Sequence, residues 1–531
     1  MVDTKREIER KYELPESPEA GGSGSQPRGR SLLPDLTKVP TVSAVTARGV
    51  TELDAVYYDT PDLRLIADTL TLRRRTGGAD EGWHLKFPVG DGVRDELRAP
   101  LSDTLPDELA ALVRSRVRGA ELAPVVRLRT SRDISLLVDE AGRTLAEVAV
   151  DTVRAERLLA GGGAADWTEV EVELADDGDP ALLDAVEKVF RKAGVRPASA
   201  KSKLARALAD TAPAESAPPG KTGMRPGKPA RETGRAPVTA GDHVLAYLRE
   251  QADAIVSYDP AVRRDLPDSV HQLRVATRRM RSAFRTYKKV LDRDATRPIA
   301  AELKWLAGEL GVDRDQEVLA ERLTERVDAH DTTLLLGPVH ARLRIWDTAG
   351  RTDARARTLG VLDSVRYLRL LDSVEALLAD PPLLDGADRK PAKVLPRAIL
   401  KDYERLAGRV EHALGLAPGE ERDLALHDAR KAAKRARYAA DAAKPALGKP
   451  AKRFAKRMKA VQSVLGDHQD SVVARDALRD LAIQAHAAGE SAFTWGLLYG
   501  EEEARAADRE RELPQIWRES AKRKLRTALT G

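Results

Sequence analysis

EIERK, Glu7–Lys11, comes almost at the start of a chain of 531 residues, and its reading decides how the first two hundred are understood. Successive side chains of a strand point to opposite faces. Glu7, Glu9 and Lys11 therefore share one face, and Ile8 and Arg10 the other. Two carboxylates and an ammonium are an odd lining for a core. Neighbouring like charges repel by about 1 kcal/mol in water and about 4 kcal/mol at an effective dielectric near 20. A divalent cation between the carboxylates reverses that sign, because hard cations take oxygen ligands. Taken alone, the pentapeptide reads more simply as an exposed strand with a wet charged face. The strands that follow reverse that preference.

Working outward, a Gly/Ser-rich insertion occupies residues 20–30 and a helical stretch is expected over Pro34–Ala47. Strand-like segments then come in quick succession: Leu53–Tyr58, Leu70–Arg75, Trp83–Phe87, Val93–Leu97, Val125–Arg132, Ile134–Asp139, Leu145–Arg154 and Trp167–Leu174. Turns such as Gly77-Gly78 join several of them, and Pro180–Gly194 reads as a closing helix. Many short strands with hairpin-length connections predict an antiparallel barrel or sandwich. Charge alternates along most of these strands. Arg73 and Arg75 share a face, as do Arg94 and Glu96, Arg127 and Arg129, Glu147 and Asp151, and Glu169, Glu171 and Glu173 of TEVEVEL. Lys86 and Arg132 add further charges. A closed barrel explains this, with apolar residues facing outward into helices and charges lining a wet interior. Such a lumen calls for a polyanion and divalent cations.

The set EIERK, YYDT (Tyr57–Thr60), LRRR (Leu72–Arg75), WHLKFP (Trp83–Pro88), RDE (Arg94–Glu96), RTSR (Arg129–Arg132), TEVEVEL (Thr168–Leu174) and SAKSK (Ser199–Lys203) resembles a CYTH domain, over about residues 1–210. That is the triphosphate tunnel metalloenzyme family, which includes inorganic triphosphatases, thiamine triphosphatases and class IV adenylate cyclases. The resemblance implies an eight-stranded antiparallel tunnel barrel with flanking helices. It implies catalytic roles for Lys11, Glu7 and Glu9, and Mg²⁺ or Mn²⁺ held by Glu7, Glu9, Glu169, Glu171 and Glu173. It implies triphosphate binding by Lys11, Arg73, Arg75, Lys86, Arg94, Arg129, Arg132, Lys201 and Lys203, with Lys201 and Lys203 competing for the last basic position. Glu96, Glu147 and Asp151 are further tunnel carboxylates. Phosphoryl transfer is mostly positioning and charge neutralisation, and arginine forks suit phosphate oxygens. No separate general base is identifiable, so Lys11 or a tunnel carboxylate is expected to orient the water.

Residues 211–240 are rich in Pro, Gly and Ala and read as a flexible linker. From Gly241 on the pattern turns helical and repeats. SVHQLRVATRRMRSAFRTYKKVL (Ser269–Leu291) leads to LGVDRDQEV (Leu310–Val318), and ALHDARKAAKRARYAADAA (Ala425–Ala443) leads to LGDHQDSVV (Leu465–Val473). His271 and His427 are 156 positions apart, and Gly311 and Gly466 are 155 apart. The two copies, about 241–400 and 401–520, predict related four-helix bundles. His271, Arg274, Arg278, Arg281 and Arg285 make one helical stripe, and His427, Arg430, Lys431, Lys434, Arg437 and Tyr438 its counterpart. A third basic cluster spans Lys452–Lys459. Like charges at such spacing cost a few tenths of a kcal/mol each, so the stripes point to an anionic partner. Asp315 and Asp470 read as helix caps or partners of the basic helix. This half resembles the CHAD domain, the conserved histidine alpha-helical domain, over about residues 241–520. The resemblance implies two pseudo-symmetric four-helix bundles. It also implies polyphosphate binding by His271, Arg274, Arg278, Arg281, His427, Arg430, Lys431, Lys434 and Arg437.

The chain has no cysteine, which removes disulfides, thiolate metal sites and a cysteine nucleophile. Its net charge of +5 says little by itself. With no apolar run of membrane-spanning length and no signal-peptide pattern, a cytoplasmic protein is expected, with polyphosphate granules as the place a helical targeting module would take it. The expected function is metal-dependent hydrolysis of inorganic triphosphate in the tunnel, with polyphosphate bound by the helices. The alternatives are a non-catalytic polyphosphate-binding protein and a nucleotide triphosphatase or cyclase. Aromatics are only 4% of residues and no base-reading motif is present, which counts against nucleic acid.

Overall fold

The charged alternation closes into a barrel. In the computed structural model the strands are β1 (Asp3–Glu13), β2 (Ala44–Asp59), β3 (Thr71–Thr76), β4 (Gly82–Gly90), β5 (Val93–Ala99), β6 (Ala123–Val138), β7 (Thr144–Arg157), β8 (Ala164–Leu174) and the two-residue β9 (Arg196–Pro197). The order is β5-β4-β3-β2-β6-β7-β8-β1-β9, and a further β5–β1 pairing closes the ring of eight. β1 makes the closure by changing partners. Asp3–Ile8 pair with β5, and Glu9–Glu13 pair with β8. The described residues are 3–14, 33–90, 92–213 and 236–530. The Gly/Ser insertion at 20–30 and residues 214–235 of the expected linker lie outside them.

Outward-facing apolar residues meet short helices. α1 (Arg64–Ala67) follows β2, and Asp59 of YYDT accepts the backbone N–H groups of Thr60, Leu65 and Ile66 at 2.7–2.9 Å to hold it. α2 (Asp107–Val117) covers Leu72, Trp83, Leu85 and Leu97. α3 (Ala181–Lys192) lays Leu182, Leu183, Val186 and Phe190 on Tyr12, Val148, Val150, Val170 and Val172. α4 (Lys203–Asp210) is different. Its Leu204, Ala207 and Leu208 pack on Ala55, Tyr57, Leu128, Val153, Ala155 and Trp167. By strand parity these residues point inward, so α4 stoppers one end of the barrel with an apolar plug.

Two local expectations change. The helix over Pro34–Ala47 is absent apart from a 3₁₀ turn at Leu36–Lys38, because Ala44–Ala47 pair with Ser135–Val138 of β6. Long-range pairing overrides a weak local preference. The two segments at 125–139 are one long strand.

The second compact unit, residues 234–531, is all helical among its described residues. It comprises α5 (Ala240–Arg263), α6 (Ser269–Thr286), α7 (Arg293–Glu309), α8 (Gly311–Asp328), α9 (Val339–Asp363), α10 (Val365–Ala379), α11 (Pro391–Gly415), α12 (Glu420–Leu447), α13 (Lys449–Ala487), α14 (Phe493–Ser520) and α15 (Arg523–Thr530). The two sequence copies align in the helices, with α6 matching α12 and the α7–α8 pair matching α13. The expected LG turn is a one-residue break in the first copy and is absent from the second. Leu310 only joins α7 to α8, and Leu465-Gly466 lie inside continuous α13. Asp470 is therefore mid-helix and caps nothing. The Asp315 side chain lies outside what the structure describes. One core serves both copies. Leu273, Met280 and Phe284 of α6, and Tyr287 just after it, share it with Leu426, Ala429, Ala433, Ala436 and Ala440 of α12. The small alanines let the two basic helices approach closely. Tyr287 donates across this contact to the backbone oxygen of Ala439 at 2.6 Å. α15 extends the unit past residue 520, and its Leu529 is buried in the same core.

Candidate active site and anion-binding helices

Inside the barrel lies a cavity of about 590 Å³. Lys5, Lys11, Arg73, Arg75, Lys86, Arg94, Arg98, Arg132 and Lys203 line it, together with Glu7, Glu9, Asp80, Glu96, Glu147, Glu171, Glu173 and Asp176. Nine cations thus face eight carboxylates. Strand parity collects them: positions 5, 7, 9 and 11 of β1, 73 and 75 of β3, and 94, 96 and 98 of β5 all point inward.

The charges answer one another in a continuous network. At the α4 end, Lys203 Nζ sits 2.9 Å from Asp151, 2.8 Å from Glu169 and 2.5 Å from Glu171. Ser202 caps α4, accepting from the Ala205 N–H, and this sets Lys203 as the first helical residue, aimed into the barrel. Lys11 pairs with Glu171 and lies 3.5 Å from Glu9. The Arg132 fork grips Asp151 at 2.6–2.8 Å and also reaches Glu171. Further along, Lys86 Nζ is 2.6 Å from Glu7 and 3.3 Å from Glu96. Arg73 lies between Glu96 (3.3 Å) and the Tyr57 hydroxyl (3.4 Å). Lys5 pairs with Glu173 at 2.6 Å. The lumen's own ion pairs balance much of its charge.

Titration follows from these surroundings. Burial pushes the Glu7 carboxyl up to about 7, against Lys86 and with help from Glu96. Burial also acts on Glu9, Asp151 and Glu171, but their cationic neighbours outweigh it and hold all three below the usual carboxylate range. For Glu171 those neighbours are Lys11, Lys203 and Arg132.

Asp151, Glu169 and Glu171 place one oxygen each within 4.8 Å of one another. Hard oxygen donors already arranged around an ammonium fit a hard divalent cation. Glu7 and Glu9 lie farther from the α4 end along β1, and each has a lysine beside it.

Not every expected residue joins the site. Arg129 is 54% exposed on the outer face with its guanidinium toward Asp54, because β6 turns Leu128, Thr130 and Arg132 inward. Arg129 and Arg132 differ in parity, so a regular strand cannot aim both into the lumen. Lys201 is exposed, and its backbone oxygen accepts from Arg94 at 2.6 Å; Lys203 takes the interior position. Lys5, Arg98, Asp80 and Tyr57 were not anticipated. Lys5 and Arg98 were legible from parity, being in step with Glu7 and with Arg94 and Glu96.

In the helical unit the two basic stripes converge. Lys434 on α12 is held down to about 7 by burial and by Arg430 of its own helix and Arg278 of α6, with Asp470 opposing. Arg281 is depressed by burial and by the charges of Arg285 and Arg278. Arg430 has Asp470 at 3.6 Å, and Arg437 lies over the Tyr438 ring with Asp441 at 3.8 Å. His271 is half-buried in α6. His427 is half-buried too, and burial with nearby Lys431 lowers its pKa. Lys431 is exposed and pairs with Asp428 at 3.1 Å. Lys452, Arg453, Lys456, Arg457 and Lys459 all face solvent on α13. A second cavity, of about 520 Å³, was missed in the sequence. Arg285, Lys288, Arg293, Arg297, Lys304, Lys401, Arg405 and Arg435 line it with one carboxylate, Asp402. No single helix carries enough of these residues to mark it.

The CYTH domain family matches residues 31–208, and the CHAD domain family matches residues 246–479. An uncharacterized protein of Mycobacterium tuberculosis strain H37Rv is 38% identical across 98% of this chain and 97% of its own length. Among solved structures, PptA from Streptomyces chartreusis is 24% identical with a TM-score of 0.45, over 53% of this chain and all of that one. The CHAD domain from the plant Ricinus communis is 24% identical with a TM-score of 0.42, over 58% of this chain and 97% of its own. Carrying both domains in that order, and alike over its whole length to the mycobacterial protein, the chain belongs to the CYTH–CHAD family.

Proposed function

We propose that the barrel hydrolyses inorganic triphosphate with Mg²⁺ or Mn²⁺ and that the helical unit binds polyphosphate. The observation that carries the first half is the near-balance of nine cations and eight carboxylates in one cavity. A polyanion entering alone would overturn that balance; one accompanied by divalent cations preserves it. CYTH domains include triphosphatases and adenylate cyclases, so a phosphate-processing enzyme is the class and inorganic triphosphate the specific reading.

Arg73, Lys86, Arg94 and Arg132 are placed to hold phosphate oxygens, the arginines as planar forks. Lys11, between Glu9 and Glu171, would neutralise charge gathering on the phosphoryl group being transferred. Asp151, Glu169 and Glu171, with Glu9 beside them, would hold the metal, which supplies Lewis-acid polarisation of phosphate oxygens and an activated water. Glu7, poised near neutrality, can take or give a proton at its carboxylate. The apolar plug of α4 keeps bulk water from one end.

The second half rests on the converging stripes of α6 and α12 and on the cation-lined cavity beside them. No helix among the described residues is long and apolar enough to cross a membrane. The test is phosphate release from triphosphate, ATP and long-chain polyphosphate with each metal. Release from triphosphate in preference to the others is expected. No release from any of them, with polyphosphate still bound, leaves a binding protein.

A further inference from the structure

We propose that Asp80 sets the chain length the tunnel accepts: its carboxylate occupies the Arg75–Arg98 pair at the open mouth and keeps a fourth phosphate from seating there. This rests on the triphosphate reading above.

The α4 plug closes one end, so a chain must be threaded from the other. The open mouth is formed by the start of β1, the end of β5 and the turn between β3 and β4, which carries Asp80. Arg94, Glu96 and Arg98 make an inward ladder along β5. At about 3.3 Å per residue it is about 13 Å long, with Arg98 as its outer rung. Asp80 stands at that rung. It pairs with Arg75, and its other oxygen is 3.7 Å from Arg98. Its backbone oxygen accepts from Arg75 at 3.3 Å and meets the His84 ring at 2.8 Å. His84 is fixed in turn by Glu96 at 2.9 Å. The turn itself is built to lie there. Gly77 and Gly78 both have φ +81°, and a Cβ on Gly77 would come within 2.2 Å of the Glu52 backbone oxygen. Asp80 is thus an internal carboxylate in the place of a phosphate. Arg75 is only 6% exposed while Asp80 is 35% exposed, so the carboxylate screens the guanidinium from the mouth. A triphosphate seated against Lys11 and Lys203 leaves this pair intact. A longer chain has to displace Asp80 or meet its charge.

The experiment compares the full chain with Asp80→Ala, Asp80→Asn and Glu81→Gln, which removes a charge from the same turn without touching Arg75 or Arg98. Hydrolysis of tripolyphosphate, tetrapolyphosphate and long-chain polyphosphate is measured with Mg²⁺. In both Asp80 variants the tetraphosphate-to-triphosphate ratio of kcat/KM should rise about tenfold or more, while Glu81→Gln should keep the wild-type ratio. An unchanged ratio overturns the proposal. So does an equal gain on both chains, which would be simple charge removal. Loss of triphosphate turnover in both variants also overturns it, by making Asp80 part of the machinery. Calorimetric titration with tetraphosphate and triphosphate is the second readout. The helical unit is the same in all proteins, so a tetraphosphate gain confined to the Asp80 variants isolates the tunnel. If the wild type hydrolyses no chain, the triphosphatase reading fails and the titration alone decides the role of Asp80.

Discussion

Replacing Lys203 with Met keeps its length and removes its charge. Its ammonium lies within 3 Å of Asp151, Glu169 and Glu171, and its side chain is 9% exposed. Without it, oxygens of three buried carboxylates stand within 4.8 Å of one another. At an effective dielectric near 20 each such pair repels by about 3.5 kcal/mol. Arg132 and Lys11 offset part of that, and protonation of one carboxyl relieves more. Breaking a buried pair by removing one partner costs about 3–5 kcal/mol, which is the loss expected for the barrel at pH 7. The sign with pH follows from the depressed carboxyls. Asp151 and Glu171 contribute stability above their unfolded values, near 4, and lose it as pH falls through their lower folded values. Lys203→Met shrinks the depression, so the penalty should be large at pH 7, start to shrink only near pH 4, and disappear as pH falls through the lower folded values of the wild type. Mg²⁺ or Mn²⁺ should narrow the gap at pH 7 by taking the place of the ammonium. Hydrogen exchange of β7 and β8 peptides across a urea series reads the barrel alone. A difference under about 1 kcal/mol at pH 7 would refute the reasoning, and a difference that does not shrink as pH is lowered past 4 through the depressed folded values would mean lost packing rather than lost charge.

Glu7→Gln should lower triphosphate turnover by about a hundredfold or more, as loss of a transition-state contact does, with polyphosphate binding by the full chain unchanged. In wild type the Glu7 carboxyl is raised to about 7. Its contribution to stability is therefore full below pH 4.5 and lost as pH rises through 7, on the order of 3 kcal/mol, and Glu7→Gln should flatten that slope in urea midpoints measured from pH 5 to 8. Lys434, held down to about 7, should take up a fraction of a proton when polyphosphate binds near pH 7.5, seen as a buffer-dependent binding enthalpy. Lys434→Met should abolish that uptake, weaken polyphosphate binding and stabilise the free helical unit at pH 6. Tyr287→Phe removes the cross-helix hydrogen bond to the Ala439 carbonyl and should cost about 1 kcal/mol, read from hydrogen exchange in α6 and α12.

Much of the site was readable before any fold was drawn, because a strand repeats every two residues. TEVEVEL states its own geometry: Val170 and Val172 are buried outward under α3, and Glu171 and Glu173 line the cavity. The same parity applied strictly would have added Lys5 and Arg98 and removed Arg129. The choice between Lys201 and Lys203 was not available from period, since both are odd-numbered in a non-strand segment. It was decided by the docking of Leu204, Ala207 and Leu208, which aims Lys203 inward.

The sequence by itself determined what periodicity and repetition can determine. It set out a charged-lumen barrel, then two copies of a basic helix 156 residues apart, and hence two resemblances that the family matches bear out. Only the tertiary structure decided the partners. β1 divides its pairing between β5 and β8, α4 closes one end, Asp80 stands at the other, and the stripes of α6 and α12 come together around Lys434. The physical reason is that alternation is a local property of the backbone. Which charge meets which depends on contacts between residues tens to hundreds of positions apart, and no local period encodes those.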